Sequence, residues 1–498
     1  MNGQVAERDD NYKWRVFLAV GLSFFTSVMA MSMVFVALPD MASSFDVNLK
    51  SVGWVVIVES LIIAATLLPF GRLADVVGRR RIHLVGLAIF GIGGLATAVA
   101  PTFQVLIVAR IVMAIGNSLG QSVGTAILVA AFPPTERGKA VGSQTTAVSL
   151  GGISGPLFGG FLVEAFSWRA LFLVILVPVV ISLIAGFVIL DEERLGGVRK
   201  GAHLDRKGWV LSGVTIVGVI VTLNNPFSLS WGSPVMIGSA ALALAIGVWF
   251  VRHELTTHQP MLRVAMFADR TLASLVAARS LGFVVTAALQ ILLPVYLISL
   301  RSMSESKAAA IIVIPSVGMG IAAQLTGRAS DRIGSRPFML GGMGVLGVGA
   351  VVFATMSDKS LLALVVCLVA INGLAMGSFN VPNNSAVLGA IPPSELGVMG
   401  ALTNLARTFG TVGGQAMAAA IVAGVMAGRG FDVPLDEIES TPGAGDAFVA
   451  GWHAAFLAAA VVAAIALFLI AVPGRPRRTP PAPSLNHGAE SGGRHSSG

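Results

Sequence analysis

The chain has 498 residues, 55% of them apolar and only 12% charged, with a mean hydropathy of +0.83. Soluble globular proteins carry about 25% charged residues, so much of this chain never meets water; a soluble enzyme, a fibrous chain and a disulfide scaffold are excluded. The single cysteine, Cys367, allows neither an intrachain disulfide nor a cysteine-based metal site.

Residues 1–15 are polar, and the uncharged run Val16–Pro39 follows. A signal-peptide core spans about 7–15 residues, so this longer run is expected to be retained as a first helix. A bilayer core requires about 20 apolar residues per helix. Charge spacing then predicts spans at about 16–38, 52–71, 82–100, 104–130, 140–162, 170–190, 209–223, 235–251, 272–298, 308–327, 338–356, 361–388, 398–427 and 449–472. The stretch Trp209–Val251 is uncharged throughout, but Asn224-Asn225-Pro226 and Trp231-Gly232-Ser233-Pro234 divide it into two helices and a turn. The Pro-, Ser- and Gly-rich tail 473–498 is expected to be disordered. The result is an all-α polytopic membrane protein of fourteen helices.

In a soluble protein the formal charge of +8 would suggest nucleic-acid binding. Here its placement sets topology instead, and no nucleic-acid partner is expected. With both termini on one side, the segments on that side hold 24 Lys/Arg and the opposite ones 6, three more lying within spans. The positive-inside rule puts both termini in the cytoplasm. A multi-pass protein of a bacterial inner membrane is the natural setting.

Two segments recur. GRLADVVGRRR (71–81) returns as GRASDRIGSRP (327–337), with Gly71, Arg72, Asp75, Gly78 and Arg80 matching Gly327, Arg328, Asp331, Gly334 and Arg336. PPTERG (133–138) returns as PPSELG (392–397) at nearly the same offset. Two six-helix halves, 16–190 and 272–472, are therefore expected around an insertion of two helices, 209–251. Internal repeats of this kind are a signature of transporters.

With these motifs the chain resembles the major facilitator superfamily, more narrowly its fourteen-span drug:proton antiporters (EmrB/QacA-like). The resemblance covers nearly the whole chain. It rests on GRLADVVGRRR, on LIVARIVMAIG (106–116) in helix four, and on GGISGPLFGG (151–160) in helix five. Val36-Ala37-Leu38-Pro39, Trp168-Arg169 and Glu254…Pro260-Met261-Leu262…Phe267 also fit. The resemblance implies the major facilitator fold, alternating access, and proton-coupled efflux of small amphipathic molecules by a monomer among membrane lipids. It implies no cofactor. No G-x-x-x-x-G-K-[ST] segment occurs, so an ATP-driven mechanism is not expected.

Candidate residues follow. Gly71, Asp75, Gly78, Arg79 and Arg80, with Asp331 in the second copy, read as a cytoplasmic latch: glycines for close approach, a carboxylate to pair with arginine or cap a helix. Gly151, Gly155 and Gly159 form a smooth stripe on helix five, suited to close helix contact. With Gly160 and the bend-forming Pro156 they resemble the antiporter motif of export members. The second half offers Gly410 and Gly414, with Gln415 opposite Pro156.

Charged residues within the bilayer are costly and mark function by default. Glu59 and Arg110 each lie about 7–8 residues from the outer end of their helix, roughly 10–12 Å deep at 1.5 Å per residue. Sharing a depth, they could pair, either as the proton-coupling site or as a fixed structural pair. Arg279 is expected to snorkel to the cytoplasmic surface; Arg407, in NLARTFG, matches a position where family members often carry arginine and is assigned to the cavity. Asn117 and Gln121 follow Arg110 on one helical face. Gln290, Asn380 and Asn384 complete the expected substrate cavity. One departure stands out: relatives usually carry an acid in helix one, whereas Met29-Ala30-Met31-Ser32-Met33 holds none, so either the proton site has moved or the protein is not proton-coupled.

Gly116-Asn117-Ser118-Leu119-Gly120 imitates a hydrolase elbow but lies within a predicted span. His253 and His258 are five residues apart, on opposite helical faces, so no zinc site is expected there, and no metal elsewhere. Catalysis is not expected. The rival readings are a lipid or lipid-like metabolite exporter on the same fold and, remotely, a membrane sensor or scaffold.

Overall fold

The computed structural model describes residues 2–195, 205–225, 233–258, 260–391, 395–431, 438 and 441–472. Among them, fourteen helices are long and apolar enough to span a bilayer. In chain order they are α1 Asn11–Ser44, α2 Trp54–Val77, α3 Arg79–Ala98, α4 Phe103–Ala131, α5 Pro134–Ala165, α6 Trp168–Ile189 and α7 Arg206–Leu223. They continue with α8 Pro234–Thr256, α9 Arg270–Leu300, α10 Lys307–Ile333, α11 Ser335–Phe353, α12 Leu362–Gly389, α13 Leu396–Gly428 and α14 Ala444–Ala471. The expected tail 473–498, Pro392-Pro393-Ser394 of the second repeat and most of the turn between α7 and α8 lie outside the described residues.

Two expected boundaries move. Helix starts at Asn2 rather than near 16; no proline before Val16 stops it. Its extension is anchored where Lys13 Nζ meets Glu136 at 2.6 Å and Lys139 lies 5.2 Å over the Trp14 ring. The second span, expected to end at about 71, instead continues for nearly two more turns through Asp75 to Val77, so most of the GRLADVVG segment is helical. The turn itself is one residue, Gly78, at φ 115°. The second copy repeats this, α10 running to Ile333 before Gly334 at φ 99°. Only glycine adopts such a conformation without strain, which explains why this position is retained in both copies.

Within each half the same pairs pack: α1 on α5 and α9 on α13, α3 on α4 and α11 on α12. Between halves, α5 packs on α10 and α12, and α13 on α2 and α4. The inserted α7 lies along the seam of α2 and α13: Ile216 and Ile220 pack with Ile63, Leu67, Leu405 and Val412. Asn225, at φ 42°, closes α7 as the sequence suggests.

The charge distribution and the even helix count give an expected labelling result. In a Cys367→Ser background, single cysteines within 1–12 and 476–498 should resist impermeant thiol reagents in intact cells, while those within 430–446 should react. Labelling of both tails from outside would contradict the topology.

Candidate functional site

Glu59 on α2 and Arg110 on α4 are each only 1% exposed. They form an ion pair through Glu59 Oε2 and Arg110 Nη2, as their shared depth predicts. A lone charge at this depth would cost several kcal/mol; each neutralises the other. Phe172 of α6 covers the guanidinium, 5.6 Å from its ring centre.

The pair continues into a chain of hydrogen bonds. Asn117 Nδ2 donates to Glu59 Oε1 at 3.3 Å, and Gln121 Nε2 to Asn117 Oδ1 at 3.0 Å. Arg407 Nη2 of α13 then donates to Gln121 Oε1 at 3.3 Å. The 110, 117, 121 stripe of α4 thus carries a polar path from the ion pair to the other half. Asn404, not singled out in the sequence, joins it by donating to the Gln121 carbonyl at 3.3 Å. Its spacing of three from Arg407 was the available signal, since residues i and i+3 share a helical face.

A cavity of about 490 Å³ lies between α1, α9, α10, α12 and α13. Its lining residues on α1 and α10 lie in the halves of those helices nearer the outer face, whereas Arg407 and Thr411 lie in the cytoplasmic half of α13. Gln290 and Arg407 line it, beside Ser32, Phe35, Phe283 and Asn372. Asn117 and Gln121 instead border a separate cleft between α1, α3 and α4 of about 10 Å³, room for about one water. Asn380 and Asn384 are buried and absent from the cavity lining. Asn380 Oδ1 accepts a 2.8 Å hydrogen bond from Arg279 Nη1, while Arg279 Nε donates to the Thr403 carbonyl at 2.9 Å. Arg279 therefore does not snorkel: it is 3% exposed and turned inward, where α12 and α13 supply the acceptors.

At the motif-bearing face, cytoplasmic by the charge distribution, the two repeats act reciprocally. Asp331, at the end of α10, accepts the backbone N–H of Gly138 at 2.7 Å and of Lys139 at 2.9 Å. It caps the first turn of α5 in the other half. Asp75, ending α2, lies against the Val398 backbone at the start of α13 and pairs with Arg79 at 3.4 Å. A carboxylate at a helix N-terminus meets free N–H groups and the positive end of the dipole. The glycines make these approaches possible: a Cβ at Gly71 would meet Ala401 and the Gly397 carbonyl, and one at Gly327 the Gly138 carbonyl. Arg80 Nη2 donates to the Phe187 carbonyl of α6 at 2.8 Å, and Arg336 Nη2 to the Ala471 carbonyl of α14, each binding the last helix of its own half. Together these contacts close the two halves on each other at the motif-bearing face.

The glycine stripe of α5 faces α1. Gly151 lies on the Phe25 carbonyl, Gly155 on Ser32 and Gly159 on Met33, whereas Gly160 touches nothing nearby. Ser32 Oγ also donates to the Gly151 carbonyl at 3.3 Å. In the second half Gly410 and Gly414 meet the Ser280 and Val284 carbonyls of α9 in the same way. The close packing is common to both halves; Pro156 within the helix is what differs.

Two six-helix halves, locked to each other at one face and enclosing a cavity, define a membrane-transporter architecture. The chain belongs to the Major Facilitator Superfamily, whose family model matches residues 20–415 and 278–495. It is a membrane transporter and not an enzyme. It is 29% identical over 406 residues to the riboflavin transporter RibZ of Clostridioides difficile, covering 80% of this chain and 87% of that protein. It is 28% identical over 410 residues to the multidrug resistance protein Stp of Mycobacterium tuberculosis, covering 82% and 75%. Among solved structures, the human organic anion transporter MFSD10 (TETRAN) superposes with a TM-score of 0.66 at 15% identity, over 92% of this chain and 99% of that one. At that identity the likeness concerns the fold alone.

The α1–α5 contact gives an expected outcome. In Gly155→Leu the new side chain must displace Ser32 and the backbone behind it, and overpacking of this kind costs about 1–3 kcal/mol. Transport should fall below about a tenth of wild type in protein that still inserts. Full activity would show that the stripe is not a required interface.

Proposed function

We propose that this transporter exports small amphipathic molecules across a bacterial inner membrane in exchange for protons, by alternating access. The observation that carries the reading is the buried Glu59, tied through Asn117 and Gln121 to Arg407 on the cavity wall. Among the described residues no carboxyl group lies further inside a span than Glu59. It stands in for the acid that relatives carry in the first helix.

The cycle follows from the contacts. With Glu59 ionised, Arg110 holds it and Asn117 orients it, and the chain keeps Arg407 directed at Gln121. A proton on Glu59 weakens its hold on Arg110 and changes what Asn117 can donate to, and Gln121 and Arg407 then rearrange at the substrate cavity. Substrate binding at Arg407 sends the same change back toward Glu59. Separation of Asp75 from α13 and of Asp331 from α5 opens the cytoplasmic face. No cofactor takes part. A proton crossing 100 mV supplies about 2.3 kcal/mol, enough for a roughly 50-fold substrate gradient per charge moved. Support for the substrate range comes from the relatives, one named for riboflavin and one for multidrug resistance.

The test is proton flux in liposomes containing the purified protein, challenged with riboflavin and a panel of amphipathic drugs. Substrate-stimulated proton movement opposite to substrate supports antiport. Substrate movement that neither carries nor responds to protons would refute it.

A further inference from the structure

We infer that the cavity selects amphipathic anions, with Arg407 as the residue that holds the anionic group. The inference deepens the exporter reading by assigning the substrate class of the same site.

The cavity wall is mostly apolar, formed by side chains such as Phe35, Phe283, Leu289, Ile312, Met319 and Met376, and contains no acidic residue. Arg407 is its only charged lining residue. Within the bilayer a positive charge requires compensation, and the four charges Glu59, Arg110, Arg279 and Arg407 set inside the spans are compensated unequally. Glu59 and Arg110 cancel each other in the first half. In the second half neither Arg279 nor Arg407 has a carboxylate partner among the described residues. Arg279 is satisfied by the neutral oxygens of Thr403 and Asn380 and lies close enough to Arg407 for the two charges to interact. Arg407 has the Gln121 oxygen as its acceptor, and its Nε is buried without one. One positive charge, Arg407, therefore lines an apolar chamber with no counter-charge, and a second, Arg279, lies within interaction range of it. Guanidinium groups bind carboxylate, sulfonate and phosphate oxygens in paired geometry. A volume of about 490 Å³ falls within the usual range for drug-sized ligands. A cation placed there would meet repulsion with no acid to offset it.

Gln290 and Asn372 stand on the same wall and offer neutral donors and acceptors to the polar edge of a bound molecule. Since Arg407 also closes the path to Glu59, an anion that takes over Arg407 frees Gln121. Anion binding and the ion pair are thereby connected.

Three probes sharing one aromatic body decide the point: 8-anilino-1-naphthalenesulfonate, the uncharged N-phenyl-1-naphthylamine, and its trimethylammonium derivative. Equilibrium binding is read by fluorescence in nanodiscs, with lipid-only discs subtracted and no ion gradient. Failure of proton coupling in the liposome assay would leave this binding result unaffected. The sulfonate should bind tightest. Arg407→Gln should weaken it about 10- to 100-fold, the range expected for a hydrogen-bonded charged partner, and Arg407→Lys should keep the preference for the anion. Should Arg407→Gln not fold, Thr411→Glu, one turn along α13 on the same wall, leaves Arg407 in place and should reverse the preference toward the cation. Preference of the native protein for the neutral or cationic probe, binding of none of the three, or a preference indifferent to whichever of these variants folds would overturn the inference.

Discussion

Asp331→Asn should leave the protein inserted and abundant, yet reduce transport by an order of magnitude or more. The native carboxylate accepts two backbone N–H groups from the first turn of α5, at 2.7 and 2.9 Å. Asparagine retains one acceptor oxygen, sets an amide donor where an acceptor is needed, and removes the charge that complements the helix terminus. Hydrogen bonds to charged groups contribute about 1.5–3 kcal/mol each. A loss of about 2 kcal/mol from the closed cytoplasmic face shifts the balance of outward- and inward-facing forms roughly 30-fold. Asp75→Asn should act in the same direction through α13 and Arg79. Accessibility gives a second readout. Ser143 is fully buried at the contact between halves and accepts from Gln324 at 3.5 Å. In a Cys367→Ser background, Ser143→Cys should react slowly with a cytoplasmic thiol reagent, and much faster once Asp331 is replaced. Native transport and native labelling in the Asp331 variant would reduce the repeated motif to a topology signal.

Arg110→Met should be among the most damaging single substitutions in the chain. It leaves Glu59 buried opposite a thioether, and breaking a buried ion pair from one side costs about 3–5 kcal/mol. Glu59→Gln, with Asn117 still available to its oxygen, should cost less. Glu59→Gln combined with Arg110→Met removes both charges and should recover most of the stability lost in Arg110→Met. The pattern is read as thermal unfolding midpoints in one detergent, the double-mutant cycle isolating the pair. Additive losses would show that the two side chains do not depend on each other.

Much of the architecture was legible because the bilayer enforces a simple rule: long uncharged runs, with the few charges inside them given a partner or a hydrogen-bond acceptor. That rule predicted fourteen spans, the shared depth of Glu59 and Arg110, and the polar stripe of α4. The repeat was equally legible, since Gly78 and Gly334 occupy backbone positions that other residues strain to adopt. What each repeat touches was not. Asp75 and Asp331 hold helices of the opposite half, and nothing local to GRLADVVG indicates α13. Helical periodicity reports spacing and depth along one helix but not which neighbour a face meets. For that reason Arg279 was expected to snorkel, although Asn380 and Thr403 wait across the packing interface. Asn380, placed in the cavity by its spacing with Asn384, is occupied with Arg279 instead. The stripe of α5 was legible as a smooth face, but only the fold shows that α1 covers it and that Gly410 and Gly414 repeat the contact on α9.

The central claim is that Glu59 carries the proton, and one variant tests it most directly. Glu59→Gln, reconstituted in liposomes and confirmed folded by its unfolding midpoint, is compared with the native protein in two modes. In exchange, labelled substrate on one side trades with unlabelled substrate on the other without a gradient; in uphill transport, an imposed pH difference drives accumulation. The account predicts that exchange persists while accumulation driven by the pH difference disappears. Accumulation at the native level by the folded variant would contradict it and remove Glu59 as the carrier.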